Sequence, residues 1–394
     1  METIVVRRLA AGNIKKGSPL IQELDLARPI RGNQGEQVIV SDERGNFLGK
    51  AYLGQQHKGV AWIYSKDPNQ VLDKDFITEL LSKAIQSRQG LFANPDTNAF
   101  RIFNGEGDGL GGVTIDWYAG YAVFSWYSQG IYLYRDDVIE AFYDLHPETL
   151  GIYEKVRFET DGALEESQHV WGQEAPEPLL IKENGVTFAS YLNQGLMTGI
   201  FLDQREVRRL LLEDYSAGKT VLNTFSYTGA FSVVAALGGA TQTTSVDVAN
   251  RSKEKTQEQF MVNHLDPESQ LIYVMDVFDY IRYAKRKQLS FDTIVLDPPS
   301  FARTKKRTFS VAKNYGELIA DLASLISYKG VLIASTNAAN VSDKQFDQMI
   351  QEGLSSVSRS YSYEHSLGLP KDFPSAPATP VSDYLKVRVI RLDQ

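Results

Sequence analysis

From residue 220 onward, short β-branched runs alternate with longer segments of helical spacing. That alternation leaves the second half of the chain few ways to fold. Strands are expected at 220–224, 243–247, 271–275, 291–296 and 331–335, with helices near 229–237, 249–263, 277–287 and 313–328 between them. A run such as Phe291-Asp-Thr-Ile-Val-Leu296 is too short for a helix and apolar enough to be buried on both faces. Repeated units of this kind build an α/β fold, a parallel sheet covered on both sides. In open sheets of that class, ligands bind beyond the carboxyl ends of the strands.

Three of those strand ends carry a carboxylate: Asp247, Asp276 and Asp297. The strand before them opens into Asn223-Thr-Phe225-Ser226-Tyr227-Thr-Gly229-Ala-Phe231, where Gly229 marks the turn into a helix. A residue without a side chain there lets a ligand approach the backbone and the helix N-terminus. The turn lacks the glycine spacing that a pyrophosphate needs. Asp247 is suited to accept the two hydroxyls of a ribose, and Asp276, with Val277 beside it, an exocyclic amine such as that of adenine. A nucleoside-shaped set of acids around a phosphate-poor turn points to S-adenosylmethionine (SAM), whose sulfonium is tolerated near carboxylates. Any one of these acids alone is more readily explained as the N-cap of the next helix. The argument rests on all of them in order at strand–helix spacing.

The last acid opens Asp297-Pro298-Pro299-Ser300-Phe301. Neither proline can donate to a ladder, so the strand stops and the backbone stiffens. A carboxylate, a rigid turn and an aromatic ring are thereby fixed at a strand end. Arg303, Lys305, Lys306 and Arg307 follow, and they are expected to contact phosphates of a nucleic acid. The plainer reading of that cluster is a solvated loop.

A chain of 394 residues is too long for one core, so two or three domains are expected. The start reads as a small β-rich module, with strands at 36–41, 47–53 and 59–64 and a turn at 42–46. A helix near 75–90, a glycine-rich run at 101–112, strands at 113–117, 121–126 and 151–158 and a helix at 136–145 make a second small α+β unit. The glycines are expected to serve a tight hairpin rather than a phosphate loop, because their spacing fits neither phosphate motif. The acidic, proline-bearing stretch 163–180 reads as a surface connection and domain boundary. Strands at 361–367 and 384–392 flank a proline-rich loop at 369–380 and end the chain.

The chain has no cysteine and five scattered histidines. That excludes disulfides, thiolate metal sites and thiol nucleophiles, and argues against zinc, so no metal is expected. The net charge of −8 argues against a chain that coats nucleic acid wholesale, without excluding a local basic track. No apolar run is long enough to span a membrane, and the first residues lack a signal-peptide layout; a cytoplasmic location is expected.

Together, the 223–231 turn, Phe201-Leu202-Asp203-Gln204-Arg205, Ser245-Val246-Asp247, Asp297–Phe301 and Gly105-Glu-Gly-Asp-Gly-Leu110 resemble the SAM-dependent ribosomal RNA large-subunit methyltransferase I family. The resemblance covers nearly the whole chain. It implies a PUA-like RNA-binding β-barrel over 1–73, a middle α+β domain over 74–175 and a Rossmann-like, seven-stranded class I methyltransferase over 176–394. It further implies RNA, specifically large-subunit ribosomal RNA, as partner, and admits a homodimer. The implied cofactor set is Gln204, Arg205, Asn223, Phe225, Ser226, Tyr227, Gly229, Asp247, Asp276, Val277 and Asp297, with Phe201 and Asp203 beside it. From the residues themselves, a helix starts at Leu202 and Asp203 is its N-cap.

One position departs from the family. Members that methylate cytosine C5 carry a cysteine after the fifth strand, where this chain has Thr336. C5 is not nucleophilic until a thiolate adds to C6, and a threonine hydroxyl cannot replace that thiolate. Methyl transfer to a base nitrogen is therefore expected. Asp297 and the Pro298 carbonyl would orient the base, and Phe301 would stack on a base held out of its helix. A catalytically silent RNA-binding protein and a small-molecule methyltransferase are the alternatives.

Overall fold

The strand–helix alternation beyond residue 220 forms one seven-stranded sheet in the computed structural model, which describes residues 2–303 and 308–393. The chain divides into two units. Residues 1–185, 190–198 and 371–382 make the first; 186–189, 199–370 and 383–394 make the second.

In the first unit, Thr3–Val6, Leu20–Gln22, Gln37–Asp42, Phe47–Gln56 and Gly59–Ser65 form a five-stranded sheet. Ala10, Ala11 and Ile14 of the helix Arg8–Lys15 share a core with Ile4, Val38 and Val40 of its strands. A second five-stranded sheet comprises Ala99–Asn104, Val113–Tyr118, Tyr121–Trp126, Gly151–Val156 and Ser167–Gly172. The last of these corrects the expectation of a bare connection at 163–180. Ser167–Gly172 is an antiparallel edge strand on Gly151–Val156. It is only half covered and held by polar groups, Gln168 Nε2 donating to the buried Glu154 at 2.5 Å, so it lacks the apolar alternation that marks a strand.

The glycine-rich run is a hairpin connection between Ala99–Asn104 and Val113–Tyr118. A Cβ on Gly111 would overlap the Trp62 ring, and one on Gly112 would stand 2.5 Å from the Tyr52 hydroxyl. That hydroxyl donates to the Gly111 carbonyl at 2.6 Å. These glycines thus admit aromatic side chains of the first sheet. The proline-rich segment 371–382 belongs to the same unit. Arg88 donates to the Asp372 carbonyl at 2.8 Å, Asn104 Nδ2 to the Pro374 carbonyl at 2.8 Å, and Asp372 Oδ2 accepts from the Arg101 amide at 3.0 Å.

The second unit runs α1 (Arg205–Asp214), β1 (Thr220–Thr224), α2 (Ala230–Leu237), β2 (Gln242–Asp247), α3 (Ser252–Met261), β3 (Leu271–Val274), α4 (Val277–Arg286) and β4 (Phe291–Leu296). It continues with α5 (Val311–Ala323), β5 (Ile326–Thr336), α6 (Asp343–Ser356), β6 (Tyr361–Leu367) and β7 (Lys386–Leu392). The sheet order is β3-β2-β1-β4-β5-β7-β6. β1 to β5 are mutually parallel, whereas β7 runs antiparallel to both its neighbours. Ile294, Leu296, Tyr315, Leu318, Leu332 and Phe346 lie in its core, as the apolar runs of β4 and β5 require.

A short stretch, Val186–Ser190, is bound by side chains rather than by a sheet on its α3 side. Gln259 donates to the Ala189 carbonyl and accepts from its amide, both at 2.8 Å. Asn263 does the same for Thr187 at 2.7 and 3.0 Å. Two carboxamides one helical turn apart thereby match alternate residues of a strand. Among the described residues no helix is long and apolar enough to cross a membrane.

Candidate active site

The strand order reverses between β1 and β4, so their carboxyl ends flank the switch point at which open α/β sheets bind ligands. The loop after β1 is built under backbone strain. Phe225 and Tyr227 both have φ of 53° and Gly229 has 82°, three left-handed residues in five. The Ser226 amide donates to the Val246 carbonyl at 3.0 Å and the Tyr227 amide to Asp247 Oδ2 at 2.9 Å, tying the loop to β2. Asp247 Oδ1 accepts from the Ala249 amide at 2.8 Å. Two backbone amides fix the orientation of this carboxylate, while each oxygen keeps lone-pair capacity for a ligand hydroxyl.

Gly229 also meets a neighbouring helix. A Cβ there would lie 2.5 Å from Thr256 Cγ2 of α3, and the left-handed φ adds to the demand for a glycine. Asn223 is buried, and its Nδ2 donates to Ser232 Oγ at 3.0 Å, with Ser245 Oγ 2.6 Å further on. Its side chain thus joins β1, α2 and β2. Asp276 caps α4, its Oδ1 accepting from the amides of Phe278 and Asp279 at 2.9 and 3.4 Å. The Val277 side chain packs in the core. The Phe225 ring stands 6.3 Å from that of Phe309.

Asp297, itself partly buried, is flanked by the buried side chains of Gln204 and Ser335. Gln204 Nε2 donates to Ser335 Oγ at 2.9 Å, and both side chains hydrogen-bond the Asp297 carboxylate. Removal from water pushes the Asp297 pKa up to about 6. The nearby Asp203 charge adds to that rise, and the hydrogen bonds from Ser335 and Gln204 and the Arg208 guanidinium oppose it. Ser335 lies next to Asp297 because β4 and β5 pair Leu296 with Ala334. The Ser335 carbonyl accepts from the buried Tyr315 hydroxyl at 2.7 Å. Gln204 Oε1 is buried without a partner among the described residues.

Asp203 is not an N-cap. Leu202–Gln204 is a 3-10 turn entered from Phe201, and Asp203 Oδ2 instead accepts from the Tyr384 hydroxyl at 2.8 Å. The prediction failed because its partner lies far away in sequence, just before β7. Arg205 is buried at the head of α1, its Nε 3.6 Å from the Glu206 carboxylate. Arg208 donates to the Phe201 carbonyl at 2.7 Å. The Phe201 and Tyr227 rings stand 5.4 Å apart.

Beyond β4, Pro298 is buried and Phe301 is 61% exposed, an aromatic face open to a partner. Ser300 Oγ donates to Asn337 Oδ1 at 2.7 Å, joining the proline turn to the end of β5. Arg303 ends the short strand Phe301–Arg303 and is exposed; Lys305, Lys306 and Arg307 lie outside the described residues. Thr336 is fully buried, and its Oγ1 accepts from the Ala338 amide at 3.1 Å. Among the described residues no group of three or more His, Cys, Asp or Glu could hold a metal. Ser335, Tyr315 and Tyr384 were not singled out from the sequence. Ser335 could have been, from its register beside Asp297.

Residues 154–387 match a family model described as S-adenosylmethionine-dependent methyltransferase, and residues 4–66 match one described as a PUA-like domain. The chain is 49% identical to YwbD of Bacillus subtilis, named as a candidate ribosomal RNA large subunit methyltransferase, over 99% of this chain and 100% of that protein. It is 31% identical to ribosomal RNA large subunit methyltransferase I of Aeromonas hydrophila, over 92% of each. A crystal structure of a candidate methyltransferase complexed with S-adenosylhomocysteine (SAH) superposes with a TM-score of 0.93 at 43% identity, covering 99% of this chain and 100% of that one.

Proposed function

This chain belongs to the SAM-dependent ribosomal RNA large-subunit methyltransferase I family, and on that premise we propose that it methylates a base nitrogen of large-subunit ribosomal RNA. The observation that carries the nitrogen assignment is the state of Thr336. The chain has no cysteine, and the residue at the family's nucleophile position is fully buried with its hydroxyl turned to the Ala338 amide. No side chain there can add to a pyrimidine ring, so the acceptor atom must bring its own lone pair.

The residues present fit SAM. Asp247 has its carboxylate oriented by two amides, and the β1 turn lacks the glycine spacing of a pyrophosphate loop. Asp247 would hold the ribose hydroxyls. The second oxygen of Asp276, the one outside the α4 cap, would take the adenine amine. The Gln204 amide oxygen has acceptor capacity for an N–H of cofactor or base. When bound, SAM supplies an electrophilic methyl group.

The remaining work belongs to this chain. Above pH 6 the Asp297 carboxylate is ionised, and it accepts an N–H of the base so that a nitrogen lone pair is aimed. Phe301 stacks on the extruded base, and Arg303 steers the phosphates. Ribosomal RNA from a strain lacking the gene, digested to nucleosides and compared by mass spectrometry with parental RNA, tests the reading. Loss of one N-methylated nucleoside is expected. Loss of 5-methylcytidine, or no change at all, would overturn it.

A further inference from the structure

The side chain of Lys155 is entirely buried in the middle sheet of the first unit, yet among the described residues no carboxylate hydrogen-bonds it. Its Nζ donates to Ser167 Oγ at 2.6 Å, to the Gly195 carbonyl at 2.6 Å and to the Leu192 carbonyl. Two residues further on, just past the end of the strand, Arg157 Nη2 donates to the Leu196 carbonyl at 2.8 Å. Ser167 Oγ in turn donates to Asn193 Oδ1 at 2.9 Å. Two cations and one hydroxyl therefore grip a single stretch of chain, residues 190–198.

That stretch is closed on itself. The Tyr191 amide donates to the Thr198 carbonyl at 2.9 Å, and Ser190 Oγ donates to the same oxygen at 2.7 Å. Its interior residues have no regular ladder to satisfy their carbonyls, and the cations do so. At its end the chain runs directly into Gly199, whose carbonyl accepts from Thr228 Oγ1 of the β1 loop at 2.7 Å, and then into the Phe201–Gln204 turn. A buried ammonium is costly to keep where a leucine would pack. Charge at this position is explained if a fixed carbonyl arrangement, not packing, is what the strand must provide.

We propose that Lys155 and Arg157 are positioning residues for methyl transfer: by holding the carbonyls of Leu192, Gly195 and Leu196 they fix the 190–198 strap and so the conformation in which the chain enters the Phe201–Gln204 turn. The proposal rests on the SAM-dependent reading of that turn. The groups acting on Lys155 support it. Burial pulls its pKa down to about 8, with Arg157 lowering it further and Glu177 opposing; these two are the charges that act on it. On losing its proton the amine keeps two N–H bonds. It can then accept from Ser167, which would release Asn193.

The test uses the full chain and its Lys155→Met, Lys155→Arg and Arg157→Gln variants. Three measurements are made: amide hydrogen exchange of peptides covering 190–205 and 220–224, SAH affinity by calorimetry, and methyl transfer from tritiated SAM to ribosomal RNA of the deletion strain. Lys155→Met should raise exchange across 190–205 at least tenfold while leaving 220–224 protected, and lower kcat about tenfold. Arg157→Gln, at a half-exposed position and so the variant less prone to misfold, should do the same about threefold. In the parent protein transfer should decline as pH passes 8, and in Lys155→Arg, whose charge persists, that decline should vanish. Unchanged exchange at 190–205 in both charge-removing variants overturns the proposal, as does the same alkaline decline in Lys155→Arg. If the parent protein binds no SAH, the methyltransferase reading fails, while the exchange data still decide whether the cations hold the strap.

Discussion

Asp297 is held where a carboxylate is uncomfortable, and the direction of its shift has two readable consequences. Its folded pKa of about 6 lies above the ordinary 3.8, so between those values the folded chain binds a proton that the unfolded chain has released. Stability therefore falls as pH rises through that window, and above pH 6 the ionised acid is a standing cost to the fold. Asp297→Asn should remove that cost and raise the free energy of unfolding by about 1–2 kcal/mol, while lowering methyl transfer at least ~100-fold. Denaturant melts beside transfer assays would show it, and a variant both less stable and active would remove Asp297 from the site. In the parent protein, transfer should fall as pH drops below 6. Asp247→Ala should weaken SAH by about 1–3 kcal/mol in calorimetry, the cost of leaving ribose hydroxyls unpaired. Unchanged affinity would count against the ribose assignment.

Among the elements, those whose identity comes from apolar periodicity were legible in the sequence, and those held by polar side chains were not. The strands β1 to β4, and the acids at the ends of β2, β3 and β4, follow from short β-branched runs and the prolines after β4. The edge strand Ser167–Gly172 escaped because Glu154, not an apolar face, secures it. The Gln259 and Asn263 carboxamides that bind Val186–Ser190 escaped for the same reason: nothing in a helical pattern announces a strand partner. Gln259→Leu should cost about 2–4 kcal/mol, because a buried amide and carbonyl both lose their partner. Gly229 was legible by position, but its contact with Thr256 was not, because that residue lies in another helix. Gly229→Ala should cost about 2–3 kcal/mol, with part recovered by Thr256→Ser, which deletes the methyl it meets. Chemical denaturation of the single and double variants measures the coupling, and strict additivity would show that strain at φ alone explains the glycine.

At the scale of the whole molecule, titration of Lys155 works in the opposite sense to that of Asp297. Its folded pKa of about 8 lies below the ordinary 10.5, so from pH 8 to 10.5 the unfolded chain holds the extra proton and the fold gains stability through this group as pH rises. A loss of transfer above pH 8 would therefore accompany no loss of fold from this source, which thermal melts across that range can check. The larger feature is the route of the chain. Each unit is assembled from three separate segments, the first from 1–185, 190–198 and 371–382. Arg88 and Asn104 receive part of their hydrogen bonding from the carbonyls of Asp372 and Pro374. A polypeptide emerging from a ribosome offers its residues in order. The first unit therefore cannot reach its final state until residues 371–382 have been made, and it must wait in a partly assembled form while most of the second unit is synthesised.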